Sequence, residues 1–111
     1  MKYVFPAIFR VAVEGGYCIE FPDIESAVTQ GNDLYDALCM AEDVLNLTLM
    51  TMEDDGEKIP LPTVLAKVEI PDEEFTLREG SFVAPIKADT DAYRKFLEEQ
   101  KTSSPPEKIS A

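Results

Sequence analysis

The side chains of this 111-residue chain that could do chemistry are mostly carboxylates. There are 22 acids against ten lysines and arginines, a formal net charge of −12, and there is no histidine and no tryptophan. Without histidine there is no Ser-His or Cys-His nucleophile pair, no HExxH zinc site and no imidazole to shuttle protons near neutral pH. Carboxylates alone can hold two metal ions for phosphodiester cleavage, but only where several converge from adjacent strands and a helix. The first predicted strand offers Arg10, with Glu14 in the turn after it, and Glu20 lies on the second. The remaining acids fall on a helix and in loops, with no paired inward positions. The expectation is therefore a non-enzymatic chain with no catalytic residue, no metal and no cofactor. Cys18 and Cys39 lie 21 residues apart without CxxC spacing. One disulfide is conceivable; two reduced, largely buried thiols are the expectation, and two ligands are too few for structural zinc.

The carboxylates are not spread evenly. Residues 32–58 carry eight acids and one base, a net of −7, while residues 1–31 and 59–88 carry −2 each and residues 89–111 carry −1. The eight are Asp33, Asp36, Glu42, Asp43, Glu53, Asp54, Asp55 and Glu57. They have two readings. One is a solvated helix face with an acidic loop that keeps the domain soluble. The other is a docking surface that draws in a basic partner by long-range attraction. A chain this acidic lacks the basic footprint of a nucleic-acid or anionic-membrane binder, and the expected partner is a basic macromolecule.

The elements that must position these acids follow from periodicity. Residues 2–13 read as a long strand with Tyr3, Phe5, Ala7, Phe9, Val11 and Val13 on one face. The other face is mixed, and Pro6 suggests an edge position or a bulge. Glu14-Gly15-Gly16 is a turn, Tyr17–Phe21 resumes the alternation, and Pro22 stops the strand. A third strand fits 27–30. Gly31-Asn32-Asp33 opens a helix capped by Asn32 or Asp33, and Leu34, Ala37, Leu38, Ala41, Leu45, Leu49 and Met52 form its apolar stripe. Acids at its C-terminus oppose the helix dipole, so the last turn is expected to fray.

Ile59-Pro60-Leu61-Pro62 is an extended connector. Residues 64–70 could form a short strand or an ordered arm, and Glu79-Gly80 reads as loop. Residues 82–87 are a further strand, and a second helix runs from Asp91 to about Gln100, capped by Thr90 or Asp89. The order β-β-β-α-β-α predicts an α+β domain, an antiparallel sheet with the long helix on one face, over residues 1–100. Residues 101–111 are expected to be a disordered polar tail. The partly apolar second face of the first strand predicts a homo-oligomer. No apolar run is long enough to span a membrane. The N-terminus lacks a signal-peptide pattern, so a cytoplasmic location is expected.

Several short pieces, taken in order, resemble HicB-type antitoxins. They are Phe5-Pro6-Ala7-Ile8-Phe9, Gly15-Gly16-Tyr17, Phe21-Pro22-Asp23, Thr29-Gln30-Gly31, and Ala37 with Ala41. Ile59-Pro60-x-Pro62 and the segment GSFVAPIKADTDAYRKF extend the resemblance over residues 2–97. It implies a partial RNase H-like fold that binds and blocks a small basic toxin of the HicA type, which cleaves mRNA with its own histidine. Members of the family also carry a C-terminal DNA-binding module. Only fifteen residues follow Phe96, and they show no such pattern, so direct nucleic-acid binding is not expected. The alternative is an orphan homo-oligomeric domain of the same fold with another ligand or partner.

Overall fold

A computed structural model describes residues 1–102. Its elements are β1 (Lys2–Ala12), β2 (Tyr17–Phe21), β3 (Ile24–Gly31), α1 (Leu34–Asp54), β4 (Thr76–Asp89) and α2 (Thr90–Thr102), with a 3-10 turn at Leu65–Lys67. The four strands form one antiparallel sheet in the order β3-β2-β1-β4. The fold is the expected α+β class in the expected element order.

Period-two alternation puts Phe5, Ala7 and Phe9 of β1 on the same face as Ile19, Phe21, Ala27, Ile86 and Ala88. On that face they meet Ala37, Ala41, Leu45 and Leu49 of α1, and all are buried. Small residues let helix and sheet close up. A Cβ added to Gly31 would lie 2.5 Å from the Ala37 Cα, so only glycine permits this contact. α1 crosses the sheet on a diagonal. Near its start Ala37 rests on Gly31 of the edge strand β3, and near its end Glu53 reaches Tyr3 of β1 and Thr90 beyond β4.

Pro6 does not mark an edge, because β1 lies between β2 and β4. Pro6 faces Pro85, and neither can donate, so the pair sits where the ladder places no hydrogen bond between them. Pro6 then lacks a donor only toward β2, whose pairing with β1 runs from Ile8 to Val11.

The second face of β1 is not free. Pro6, Ile8 and Arg10 are buried on it. The connector between α1 and β4 is tied across this side of the sheet. Thr63 donates its backbone N–H to the Asp23 carboxylate at 2.9 Å, and the Pro71 carbonyl accepts from Arg10 Nε and Nη2, both at 3.2 Å. Asp23 therefore bonds a segment forty residues away instead of its own turn. Arg10 is only 3% exposed. Its charge is balanced by Glu20 at 2.7 Å, the condition under which a buried guanidinium is tolerable. The surface on which a homo-oligomer was expected is thus covered in its middle by the chain itself.

Other differences have local causes. β3 begins at Ile24, and β4 at Thr76, so β4 takes in Glu79-Gly80 as a bulge. There the register jumps from Phe9↔Phe82 to Val11↔Leu77, and the Ser81 hydroxyl accepts from Val11 N–H at 3.0 Å and donates to the Leu77 carbonyl at 2.6 Å. Residues 64–70 form no strand and contain only the 3-10 turn. Cys18 and Cys39 are free but exposed, not buried: Cys18 alternates with buried Ile19, and Cys39 lies off the α1 stripe. α2 continues through Lys101 and Thr102, the first residues of the expected tail. Residues 103–111 lie outside the described residues.

Candidate docking surface on the long helix

The eight acids of residues 32–58 separate into three groups along α1. The first caps the helix. The Asp33 carboxylate accepts from Asp36 N–H at 2.8 Å, and the Asp36 carboxylate accepts from Asn32 N–H at 2.8 Å. Asp33, not Asn32, is the N-cap. The two side chains satisfy amides that the helix cannot. Asp33 stays exposed and Asp36 half-buried, with charge left over on the surface.

The second group is in the middle. Glu42 and Asp43 are both exposed. Asp43 accepts from the Tyr93 hydroxyl at 3.1 Å. Burial pushes the Tyr93 phenol up from its usual pKa, and the neighbouring Asp43 charge adds to that. Glu42 is held in place through its backbone. Its carbonyl accepts from Asn46 Nδ2 at 3.0 Å, and Asn46 Oδ1 accepts from Asp89 N–H at 3.0 Å. Beside it a cleft of about 630 Å3 opens between α1 and α2, lined among others by Glu42, Asn46, Tyr3, Lys87 and Tyr93.

The third group ends the helix, and it is not frayed. The Glu53 side chain is only 20% exposed. It accepts from the Tyr3 hydroxyl at 2.6 Å, from the Thr90 hydroxyl at 2.9 Å and from Arg94 Nη2 at 3.0 Å. Burial alone would raise its pKa, but these three donors outweigh burial and hold the carboxyl below its usual range. Tyr3 is pushed up to about 12, first by burial and then by its bond to the Glu53 carboxylate. Arg94 also pairs with Asp54 at 2.9 Å and donates to the Met50 carbonyl at 3.3 Å. It supplies from α2 the cation that the last turn of α1 lacks in its own sequence. Asp55 is the C-cap and, like Glu57, is exposed.

The structure therefore does not bring the eight acids into one patch. Asp33 caps the start of α1, Asp36, Glu42 and Asp43 lie on its first half with Asp43 bonded to Tyr93, Asp55 and Glu57 follow its end, and Glu53 and Asp54 are bonded into the fold. The link of Tyr3, Thr90 and Arg94 to Glu53 is not local in the sequence, since they lie 37 to 50 residues away from it. A tyrosine heading an apolar strand and an arginine on an otherwise exposed helix were the available signals. Glu20, considered above as a metal carboxylate, is paired with Arg10. Among the described residues no three of His, Cys, Asp or Glu are grouped to hold a metal, and no helix is long and apolar enough to cross a membrane.

Comparison with known proteins places this geometry. The family model for the HicB-like antitoxin of bacterial toxin–antitoxin systems matches residues 4–71. Antitoxin HicB 1 of Photorhabdus laumondii is 45% identical over 58 residues, 52% of this chain and 37% of that protein. Antitoxin HicB of Escherichia coli K12 is 39% identical over 61 residues, 55% of this chain and 44% of that protein. The matched stretch thus spans less than half the length of these curated relatives. Among solved structures, a chain of a toxin–antitoxin complex from Streptococcus pneumoniae shares the fold with a TM-score of 0.74 at 24% identity, covering 84% of this chain and 73% of that one. A chain of the HicA3 and HicB3 toxin–antitoxin complex does so with a TM-score of 0.60 at 22% identity, covering 78% and 99%.

Proposed function

The chain belongs to the HicB-like antitoxin family, and on that premise we propose that it binds and neutralises a small basic mRNA-cleaving toxin of the HicA type, without catalysing a reaction itself. The observation that carries this reading is the free acidic first half of α1. Asp33, Asp36 and Glu42 present carboxylates at the surface from a helix whose other end is fixed by Glu53. Such charges raise the encounter rate with a cationic partner and set its orientation. Asp55 and Glu57 add to the same field. Glu53 and Asp54, engaged by Arg94, hold the fold and contribute to docking only at long range.

The sheet in the order β3-β2-β1-β4 with α1 on one face also supports the partial RNase H-like reading. The protein acts in the cytoplasm on this account, with the toxin as its partner and no direct contact with nucleic acid.

The test is calorimetric titration of the full chain with a HicA-type toxin whose catalytic histidine has been replaced. The expected result is a complex whose Kd rises about tenfold or more between 50 and 300 mM salt. Asp33→Asn combined with Glu42→Gln should weaken it about tenfold at low salt, since asparagine keeps the cap while removing the charge. No complex at low salt overturns the proposal.

A further inference from the structure

Among the described residues, one place on the sheet is left without a covering element. Strands lie about 4.8 Å apart, so four of them make a face roughly 15 Å wide. Helices pack side by side at about 8–10 Å, so such a face takes two. α1 fills one place. Because it runs diagonally, it covers β3 at one end of the sheet and reaches β1 and the end of β4 at the other, where α2 packs beside it. A wedge therefore stays open between the first half of α1 and the bulged end of β1 and β4.

Its surface is apolar. Cross-strand pairing puts Tyr17, Val11 and Leu77 in one row on the helix-bearing face. Phe82 lies beside them, stacked on Phe9 at 4.9 Å and met edge-on by Tyr17 at 6.2 Å. Tyr17, Val11 and Phe82 are only half-buried, and Leu77 is 48% exposed. On the helix side Leu34 and Leu38, part of the apolar stripe, are 45% and 41% exposed, whereas Ala41, Leu45 and Leu49 further along are buried. Ala37, between them, is buried on Gly31, so Leu34 and Leu38 expose the flank of the stripe beside its covered centre. Asp33 and Glu42 flank this exposed stretch, and Glu14 sits in the hairpin turn next to the row.

We propose that this wedge receives a helix of a basic partner protein, apolar on the inserted face and lysine- or arginine-rich at its flanks. The width of the open place selects a helix, and the carboxylates at its edge select a cationic one. Rim charges mainly steer and orient, whereas desolvated apolar side chains at the centre of an interface carry most of the affinity. The wedge is thus the anchoring part of the toxin contact proposed above, and it rests on that reading.

The full chain is titrated with the same histidine-inactivated HicA-type toxin. Leu38→Asp and Leu77→Asp should each weaken binding about 30-fold, the scale of an interface anchor. Val28→Asp, on the exposed opposite face of β3, should change it less than about twofold. Methyl NMR of the unsubstituted chain with bound toxin should shift Leu34, Leu38 and Leu77, a readout that holds if a variant misfolds. If the toxin binds but neither the variants nor these methyls respond, the wedge assignment is overturned and the antitoxin reading stands. If the unsubstituted chain does not bind, the antitoxin reading itself falls, and the wedge assignment with it. Self-association of the chain that Leu38→Asp abolishes would give the wedge to a second copy and overturn the proposal.

Discussion

The two ends of α1 are built from the same residue type and do opposite work. At the first end, Asp33 and Asp36 bond only backbone amides of their own turn and keep surface charge. At the other, Glu53 is enclosed by a tyrosine, a threonine and an arginine brought from two other elements. What decides between them is the supply of donors. A carboxylate with three donors in a half-buried site becomes part of the fold, and one with solvent beside it remains available to a partner.

Replacing Glu53 tests the contrast most severely. Glu53→Ala removes the acceptor that Tyr3, Thr90 and Arg94 share, leaving Arg94 with Asp54 and Met50 and Thr90 with the Met1 carbonyl, and should lower the unfolding free energy by about 2–4 kcal/mol in urea titration. Asp33→Ala removes one cap and should cost about 1 kcal/mol. A cost at Asp33 equal to that at Glu53 would erase the distinction between the ends.

A pH titration sharpens the contrast with smaller effects. The Tyr3 phenol is raised from 10 to about 12 on folding. Its contribution is therefore fully present below pH 10 and is lost as pH rises toward 12. The Glu53 carboxyl is lowered from 4.5, so its contribution is present above that value and is lost as pH falls through the folded value beneath it. Thermal unfolding should show a fall in Tm above pH 10 that Tyr3→Phe diminishes. An unchanged alkaline slope in that variant would remove Tyr3 from the network.

Much of this was legible in the chain. Alternation in residues 2–13 marks the buried face of β1, and Ala37 and Ala41 mark the helix side that packs on the sheet, because both are local patterns with one physical cause each; Gly31 reads as a turn into the helix, and only the structure shows that Ala37 rests on it. The acids were legible as charge, and Asp33 as a cap candidate, but the roles of Asp43, Glu53 and Asp54 depend on residues 37 to 50 positions away. The frayed helix end was expected because no cation stands near it in sequence, while Arg94 stands near it in space. The buried thiols failed for a related reason. Cysteine is apolar enough for a core, but its position in the repeat puts both side chains outside. The path of the connector over Arg10 leaves no periodic signal at all, because it is held by carbonyl and carboxylate contacts.

The pairing of β1 with β4 has a consequence for biosynthesis. Lys2 meets Asp89, and the ladder between the two strands runs nearly the length of β1. The family match ends at residue 71, before β4 begins. A fragment cut to the matched region would leave one side of β1 without its longest partner, so the smallest unit able to fold includes β4. During translation at about 5–20 residues per second, the first strand waits several seconds for the strand that completes it. For that interval the nascent chain carries an open edge, and β4, made after the whole family-matched region, is the strand that closes it.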